Sequence, residues 1–370
     1  MSLTEPAIEL LVATQALTPG LPGLTGLAVD LLLEEPGLPD SQVGPLRRRP
    51  PLRHGFLSAR SRRILVVSGP PSPGMEVCAA RMTEDLRLSS PRIAGFGIAG
   101  HDGARPVIGV RDEAADSIDP AVADDGTFAT ATAGVRVALE AGTENDGPFG
   151  LRRRWQLAHA IAPVLAAAFA NAPLRHGRPT GWRSARQALR RDLPAAPPET
   201  DPRRSWTALV LDSPVAGTTR TLRAWSRSGP GDRPTLADLT RHLATLRPPV
   251  AARGHLELDV ADRQPGDGWR VPLAVIAALL DDPQAATVAE DATRALPATP
   301  RLWERAARDA LTDPALAAAA RECFVAAYAA LARQGVSREL RDAVAGFTER
   351  YVLRGRCPAD DVLDRATARP

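Results

Sequence analysis

The chain is 370 residues long, 44% hydrophobic and 24% charged, with a formal net charge of +3 at pH 7, an ordinary profile for a globular protein able to bury a sizeable core. All 46 cations are arginine, so chemistry that needs a lysine, as in P-loop NTPases and pyridoxal-phosphate enzymes, is excluded. The small net charge, two Tyr and seven Phe, with no aromatic run for base stacking, argue against a nucleic-acid partner.

Residues 18–52 are rich in Pro, Gly and Arg, and 1–24 and 36–52 are expected to be poorly ordered; "GLAVDLLL" (26–33) between them reads as a strand. "RILVVSG" (63–69) is a second strand, preceded by Arg60, Arg62 and Arg63; Arg62 and Arg63 read as a solvated strand end. A helix is predicted over 75–88, then strand or tight loop in "RIAGFGIAG" (92–100) and a weakly patterned acidic stretch over 100–127. "AGVRVALEAG" (133–142) alternates as a strand. The strongest helix is "RRWQLAHAIAPVLAAAFANAP" (153–173), with Leu157, Ile161, Leu165 and Phe169 near one face, Pro163 as a candidate kink and Pro173 closing it. Pro-rich loops are read at 193–204 and 226–234. "PTLADLTRHLATL" (234–246) opens on Thr235 as N-cap with Asp238 in the first turn. "GHLELDV" (254–260) alternates as a strand, "VPLAVIAALLDDP" (271–283) is a buried helix, and 284–370 forms a helical extension broken at Pro314 and Gly335. Strands mixed with helices and then a helical C-terminal third predict a single α+β domain, residues 1–370, on a curved, mainly antiparallel sheet.

Cys78, Cys323 and Cys357 are odd in number and lack ligand spacing, which fits reduced thiols in a cytoplasmic protein. No signal peptide and no uninterrupted apolar run of about 18 residues is found, so no membrane partner is expected.

Three stretches, 130–142, 153–187 and 242–283, closely resemble the actinobacterial glutamate–cysteine ligases of ergothioneine biosynthesis, a branch of the carboxylate–amine ligases. The resemblance is strong over 130–283 and fades to pattern over 25–100. It implies a glutamine-synthetase-like catalytic fold, a sheet forming a funnel with helices outside. It also implies ATP and Mg²⁺ as cofactors, with glutamate and cysteine or another small amine as partners. In that chemistry the γ-carboxylate of glutamate is phosphorylated and the amine displaces phosphate from the acyl phosphate, a reaction needing hard oxygen ligands for the metal and arginine clamps for anions. Carried over residue by residue, the resemblance implies catalytic roles for Arg186, Arg253 and Glu257. It implies substrate or nucleotide binding by Asn171, Arg183, Ser184 and Arg136, and metal binding by Asp30, Glu140 and Glu257.

The family pattern is also broken. Where it has two glutamates after a glycine, this chain has Ala28 and Asp30, on one face by alternation. Where it has Glu-Pro-Gly-Gly-Gln-x-Glu, this chain has Arg60 and Val66 in place of the two glutamates. Arg136 and Ala138 stand at the family's Gln and Asn, and Asp259 stands for the arginine of its Glu-x-Arg strand. Two readings follow: an ATP-dependent ligase forming γ-glutamylcysteine, or a catalytically impaired member acting as a ligand-binding or partner protein.

Overall fold

The strands expected from alternation come together in one sheet. The computed structural model describes residues 2–33, 37–95, 110–111, 115–122, 128–175, 177–190, 193 and 201–368. Six strands form the body of the sheet: β1 (Leu24–Leu33), β2 (Phe56–Ala59), β3 (Ile64–Ser68), β4 (Gly134–Leu139), β5 (Val250–Ala252) and β6 (Leu256–Asp262). Their order is β5-β6-β4-β1-β3-β2, and every neighbouring pair is antiparallel. Two short segments, Ser72–Pro73 and Val110–Arg111, also pair with β1.

Alternation along these strands splits them into an apolar and a functional face. Leu27, Val29 and Leu31 of β1, Leu65 and Val67 of β3, Val135 and Val137 of β4 and Leu256 and Leu258 of β6 are all buried in one continuous core. Each such aliphatic side chain contributes about 1.5–3 kcal/mol by leaving water. The core continues into the Leu151–Ala168 helix, which packs on β6, and the Arg270–Asp281 helix, which packs on β4. Both are the helices expected from sequence, and Pro163 lies inside the first. Thr235 and Asp238 form a reciprocal capping box on the Leu236–Thr245 helix, the Thr235 amide donating to Asp238 at 2.8 Å.

Several expectations change. Residues 5–16, expected to be poorly ordered, form a helix because Ile8, Val12 and Ala16, four apart, bury one stripe against the Pro202–Asp212 helix. Residues 40–47 form a second helix in the other segment expected to lack order. The helix placed at 75–88 runs over Gly74–Gly95, taking in the start of the stretch read as strand or loop; its residues 96–100 lie outside the described residues. The Pro202–Asp212 helix starts inside the loop expected at 193–204: Pro202 takes the first helical position and Asp201 caps it by accepting from the Arg203 and Arg204 amides. The C-terminal third is helical, as expected, through Pro314–Arg333, Arg338–Arg350 and Pro358–Thr367. Among the described residues Pro314–Arg333 is the single unbroken helix with the length and composition of a membrane span. It lies in the protein core, with Leu316, Ala320, Cys323, Phe324, Ala327 and Leu331 buried.

Candidate active site

The face of the sheet opposite the core carries the candidate site. Register places Asp30 across from Val66, Ala28 across from Ser68 and Arg136, and Ala138 across from Glu257. Over this floor lies a cavity of about 370 Å³. Ala28, Val66, Ser68 and Glu257 line it, together with Arg47, Arg49, Arg60, Arg136 and Arg247. Five guanidiniums therefore share its wall with one carboxylate.

Each arginine arrives from a different place. Arg47 ends the Asp40–Arg47 helix, and Arg49 follows it with its guanidinium 5.0 Å from the centre of the Phe56 ring. Arg60 lies in the turn between β2 and β3, Arg136 on β4, and Arg247 in the segment before β5. The solvated strand end expected of Arg62 and Arg63 holds for Arg62 alone: Arg62 is exposed while donating to Leu38 O at 2.9 Å, whereas Arg63 is buried and donates to Leu33 O, at the end of β1, at 3.1 Å.

Beneath the cavity lies a network of buried ions. Asp30, wholly inaccessible to solvent, has Oδ1 2.8 Å from Arg60 Nη2 and 3.3 Å from Arg136 Nη2, while Oδ2 accepts from the Gly134 amide at 3.1 Å. Asp259 accepts from Arg186, and from Arg190 at 2.5 Å; Arg186 also lies 3.5 Å from Asp262. Gly134 makes this density possible, because a Cβ there would fall on the Arg186 guanidinium. Burial alone would raise the Asp259 pKa, but Arg186 and Arg190 outweigh it and hold the carboxyl well below its usual range. Burial outweighs the attraction at Asp262, whose pKa is raised. Arg60 is lowered by burial, opposed by Asp30 and reinforced by Arg136. Paired charges of this kind contribute little net stability against an apolar core, yet losing one partner is costly because a buried charge remains.

The two charge reversals against the family pattern are thus each internally compensated. Arg60, where a glutamate is expected, takes the Asp30 carboxylate, and Asp259, where an arginine is expected, takes Arg186 and Arg190.

The other candidates fall in three places. Glu257 reaches the cavity and accepts from Arg253 at 2.9 Å, while Arg253 also donates to the carbonyls of Leu243 and Leu246. Arg253 thus braces Glu257 from behind. Asn171 is buried, its amide donating to Asp262 at 2.8 Å and its Nδ2 to Arg263 O at 2.7 Å, so it fastens the end of the long helix to the end of β6. Ser184 caps the short Ala185–Ala188 helix that carries Arg186, accepting from the Gln187 amide. Arg183 points to the helical tail, 2.7 Å from Asp360. Glu140 lies past the far end of β4 from Gly134 and accepts from the Leu24 amide at 3.2 Å.

Asp30, Glu140 and Glu257, expected as metal ligands, are therefore not one set. Asp30 is occupied by two guanidiniums, Glu140 sits at the other end of the strand, and Glu257 is held by Arg253. Among the described residues no cluster of three or more His, Cys, Asp or Glu side chains is arranged to hold a metal ion. These residues do not fit Mg²⁺: the ion needs free hard oxygens, and an arginine about 4 Å away opposes it by about 8 kcal/mol at an effective dielectric of about 20. Four members of the basic site were not singled out from sequence: Arg47, Arg49, Arg190 and Arg247. The signals were the triplet Arg47-Arg48-Arg49 and the four-residue spacing from Arg186 to Arg190, which puts both on one side of a turn.

Comparison with known proteins places this geometry in context. The profile described as glutamate–cysteine ligase family 2 matches residues 121–370. Glutamate–cysteine ligase EgtA of Mycolicibacterium smegmatis is 33% identical over 352 residues, covering 86% of this chain and 80% of that protein. EgtA of Mycobacterium tuberculosis is 32% identical over 336 residues, covering 82% and 75%. Among solved structures, a glutamate–cysteine ligase from Francisella tularensis in complex with AMP superposes with a TM-score of 0.56 at 12% identity, covering 95% of this chain and 86% of that one. A bifunctional glutathione synthetase from Pasteurella multocida gives 0.51 at 11% identity, over 98% of this chain and 51% of that one. At such low identity these two structures establish likeness of fold.

Proposed function

The chain belongs to glutamate–cysteine ligase family 2, and from that premise we propose that it is an ATP-dependent ligase joining the γ-carboxylate of glutamate to the amine of cysteine, in ergothioneine biosynthesis. The observation that carries this reading is identity of 32–33% to EgtA proteins over more than four-fifths of the chain. An anion-receiving cavity on the inner face of the sheet supports it.

The reaction brings two anions together. A carboxylate oxygen of glutamate attacks the terminal phosphorus of ATP, the bond to the bridging oxygen breaks, and ADP leaves with that electron pair. The cysteine nitrogen then attacks the acyl carbon, inorganic phosphate departs, and the nitrogen loses a proton. Repulsion between carboxylate and triphosphate is the electrostatic obstacle in the first step, and preorganised positive charge is what lowers it. Arg60, Arg136 and Arg247 supply that charge from the wall, with Arg47 and Arg49 at the rim. Glu257, the carboxylate on the described lining, is the acceptor for the ammonium proton of the incoming amine, and Arg253 is the residue that positions it. Arg186, Asn171 and Ser184 act as positioning residues, holding β6 and the strand ends that form the floor. A cytoplasmic setting accords with three free, buried cysteines.

A second reading, a family member that binds these ligands without turnover, is favoured by one observation: Asp30 is committed to Arg60 and Arg136. The test is incubation of the purified chain with ATP, glutamate and cysteine, with mass-spectrometric detection of γ-glutamylcysteine and ADP. Equal amounts of both products support the ligase; nucleotide binding without either product selects the second reading.

A further inference from the structure

We propose that the cavity on the inner face of the sheet is a metal-independent polyphosphate site, in which guanidiniums contact the phosphate oxygens directly at the place where the related ligases are expected to hold metal. The inference rests on the family reading for the location of the cavity, and on the structure for its chemistry.

Two independent observations lead to it. The first is the charge of the wall: Arg49, Arg60, Arg136 and Arg247 against Glu257 leave three cations in excess on the described lining. Glu257 is itself paired with Arg253, and the buried Asp30 is shared by Arg60 and Arg136. The local acids therefore do not neutralise the wall, and a bound anion of several charges would. The second is Arg247. It makes no hydrogen bond or ion pair among the described residues, although it is half-buried within this cluster. Burial, reinforced by Arg60, Arg136 and Arg253 and only partly opposed by Asp259, lowers its pKa to about 9. A half-buried guanidinium facing three others with no acid of its own is destabilised in the free protein, and it gains most when an anion arrives. Phosphate suits it best, since the planar fork of arginine matches two phosphate oxygens.

The same charge distribution opposes a divalent cation. A ligand arriving with Mg²⁺ brings less negative charge and carries a cation toward Arg60 and Arg136. Magnesium should therefore weaken occupancy by withdrawing charge from the ligand. A triphosphate chain can come from a nucleotide or from free inorganic polyphosphate, and the two share this chemistry.

The experiment is isothermal titration calorimetry of the full chain with sodium tripolyphosphate in EDTA, repeated with ATP in EDTA and with both ligands in excess Mg²⁺. The expected result is one-to-one binding of tripolyphosphate in EDTA, weakened by added Mg²⁺ and by salt. Arg247→Gln, which breaks no pair, should weaken it about tenfold or more, the scale of one lost charged hydrogen bond. Arg49→Gln, on the exposed rim, provides a second variant and should weaken it in the same direction. ATP binding more tightly than tripolyphosphate in EDTA would identify the nucleotide as the source, and equal affinity would identify the bare phosphate chain; either supports the site. Binding seen with Mg²⁺ present and absent in EDTA would overturn the proposal, as would tripolyphosphate affinity unchanged in both variants. Failure of ligation with tripolyphosphate binding intact would count against the proposed function alone. Ligation without tripolyphosphate binding in EDTA would count against this inference alone.

Discussion

Replacing Asp30 by Asn isolates the charge at the centre of the buried network. Asn keeps the size of the side chain and an oxygen for the Gly134 amide, but Arg60 and Arg136, at 2.8 and 3.3 Å, lose their shared anion. Two unit charges about 4 Å apart interact by about 4 kcal/mol at an effective dielectric of about 20. Asp30 is inaccessible and the Arg136 side chain is only 9% exposed, so water cannot fully take over the lost role. The Arg60 side chain, 29% exposed, can relax toward the cavity and recover part of the loss. The expected cost is about 3–5 kcal/mol, the range for removing one member of a buried ion pair. Urea unfolding followed by tryptophan fluorescence should show a lower midpoint with an unchanged slope. Asp291→Asn, which breaks the exposed pair with Arg294, should leave the midpoint where it is. Combining Asp30→Asn with Arg60→Gln should cost less than the sum of the two, because the second change removes one of the stranded cations. An Asp30→Asn protein as stable as the wild type would refute the network as described.

Two further predictions follow from the same geometry. The triple variant Ala28→Glu, Arg60→Glu, Val66→Glu places three carboxylates around the cavity that already holds Glu257, and it should bind Mn²⁺ measurably by calorimetry. Each single variant should fail, since metal ligands act as a set, and saturable Mn²⁺ binding by the wild type would contradict the account of Arg60 and Asp30. His159 packs edge-on against Trp155 at 4.6 Å with Nε2 unpartnered among the described residues, and burial lowers its pKa from 6.5 to about 4. The unfolded chain takes up this proton near pH 6.5 and the folded chain only near pH 4, so stability falls as pH drops through that window, by about 3 kcal/mol in full. His159→Phe should flatten this part of the pH–stability profile, and an unchanged profile would show that the imidazole is solvated.

The sheet was legible because its strands announce themselves by alternation and its apolar face is uniform. Val29, Val67, Val137 and Leu258 each fall on the core side as their period requires. The Glu5–Ala16 helix was hidden because its buried stripe is short and its neighbours are rich in Pro and Gly, so composition suggested disorder where Ile8, Val12 and Ala16 find a partner helix. Within the site, residues on regular strands were readable in place: Asp30, Arg136 and Glu257 share a face by register. Arg47, Arg49 and Arg247 come from a helix end and two irregular segments, and nothing in a linear pattern tells that three such segments close over one floor. The pairing of Asp30 with Arg60 was equally hidden, since 30 residues and a strand order decided by tertiary packing separate them. Sequence showed that carboxylates were missing, and the structure showed that the remaining one is already used.

The most direct test of the whole account is the metal dependence of γ-glutamylcysteine formation. Purified full-length chain would be given ATP, glutamate and cysteine in parallel reactions, one with EDTA and one with saturating Mg²⁺, and dipeptide would be followed by mass spectrometry. If guanidiniums neutralise the triphosphate, dipeptide and ADP appear together in EDTA, Mg²⁺ does not raise the rate, and Arg247→Gln lowers it in both reactions. Dipeptide formed only with Mg²⁺, at a rate indifferent to Arg247, would contradict the account.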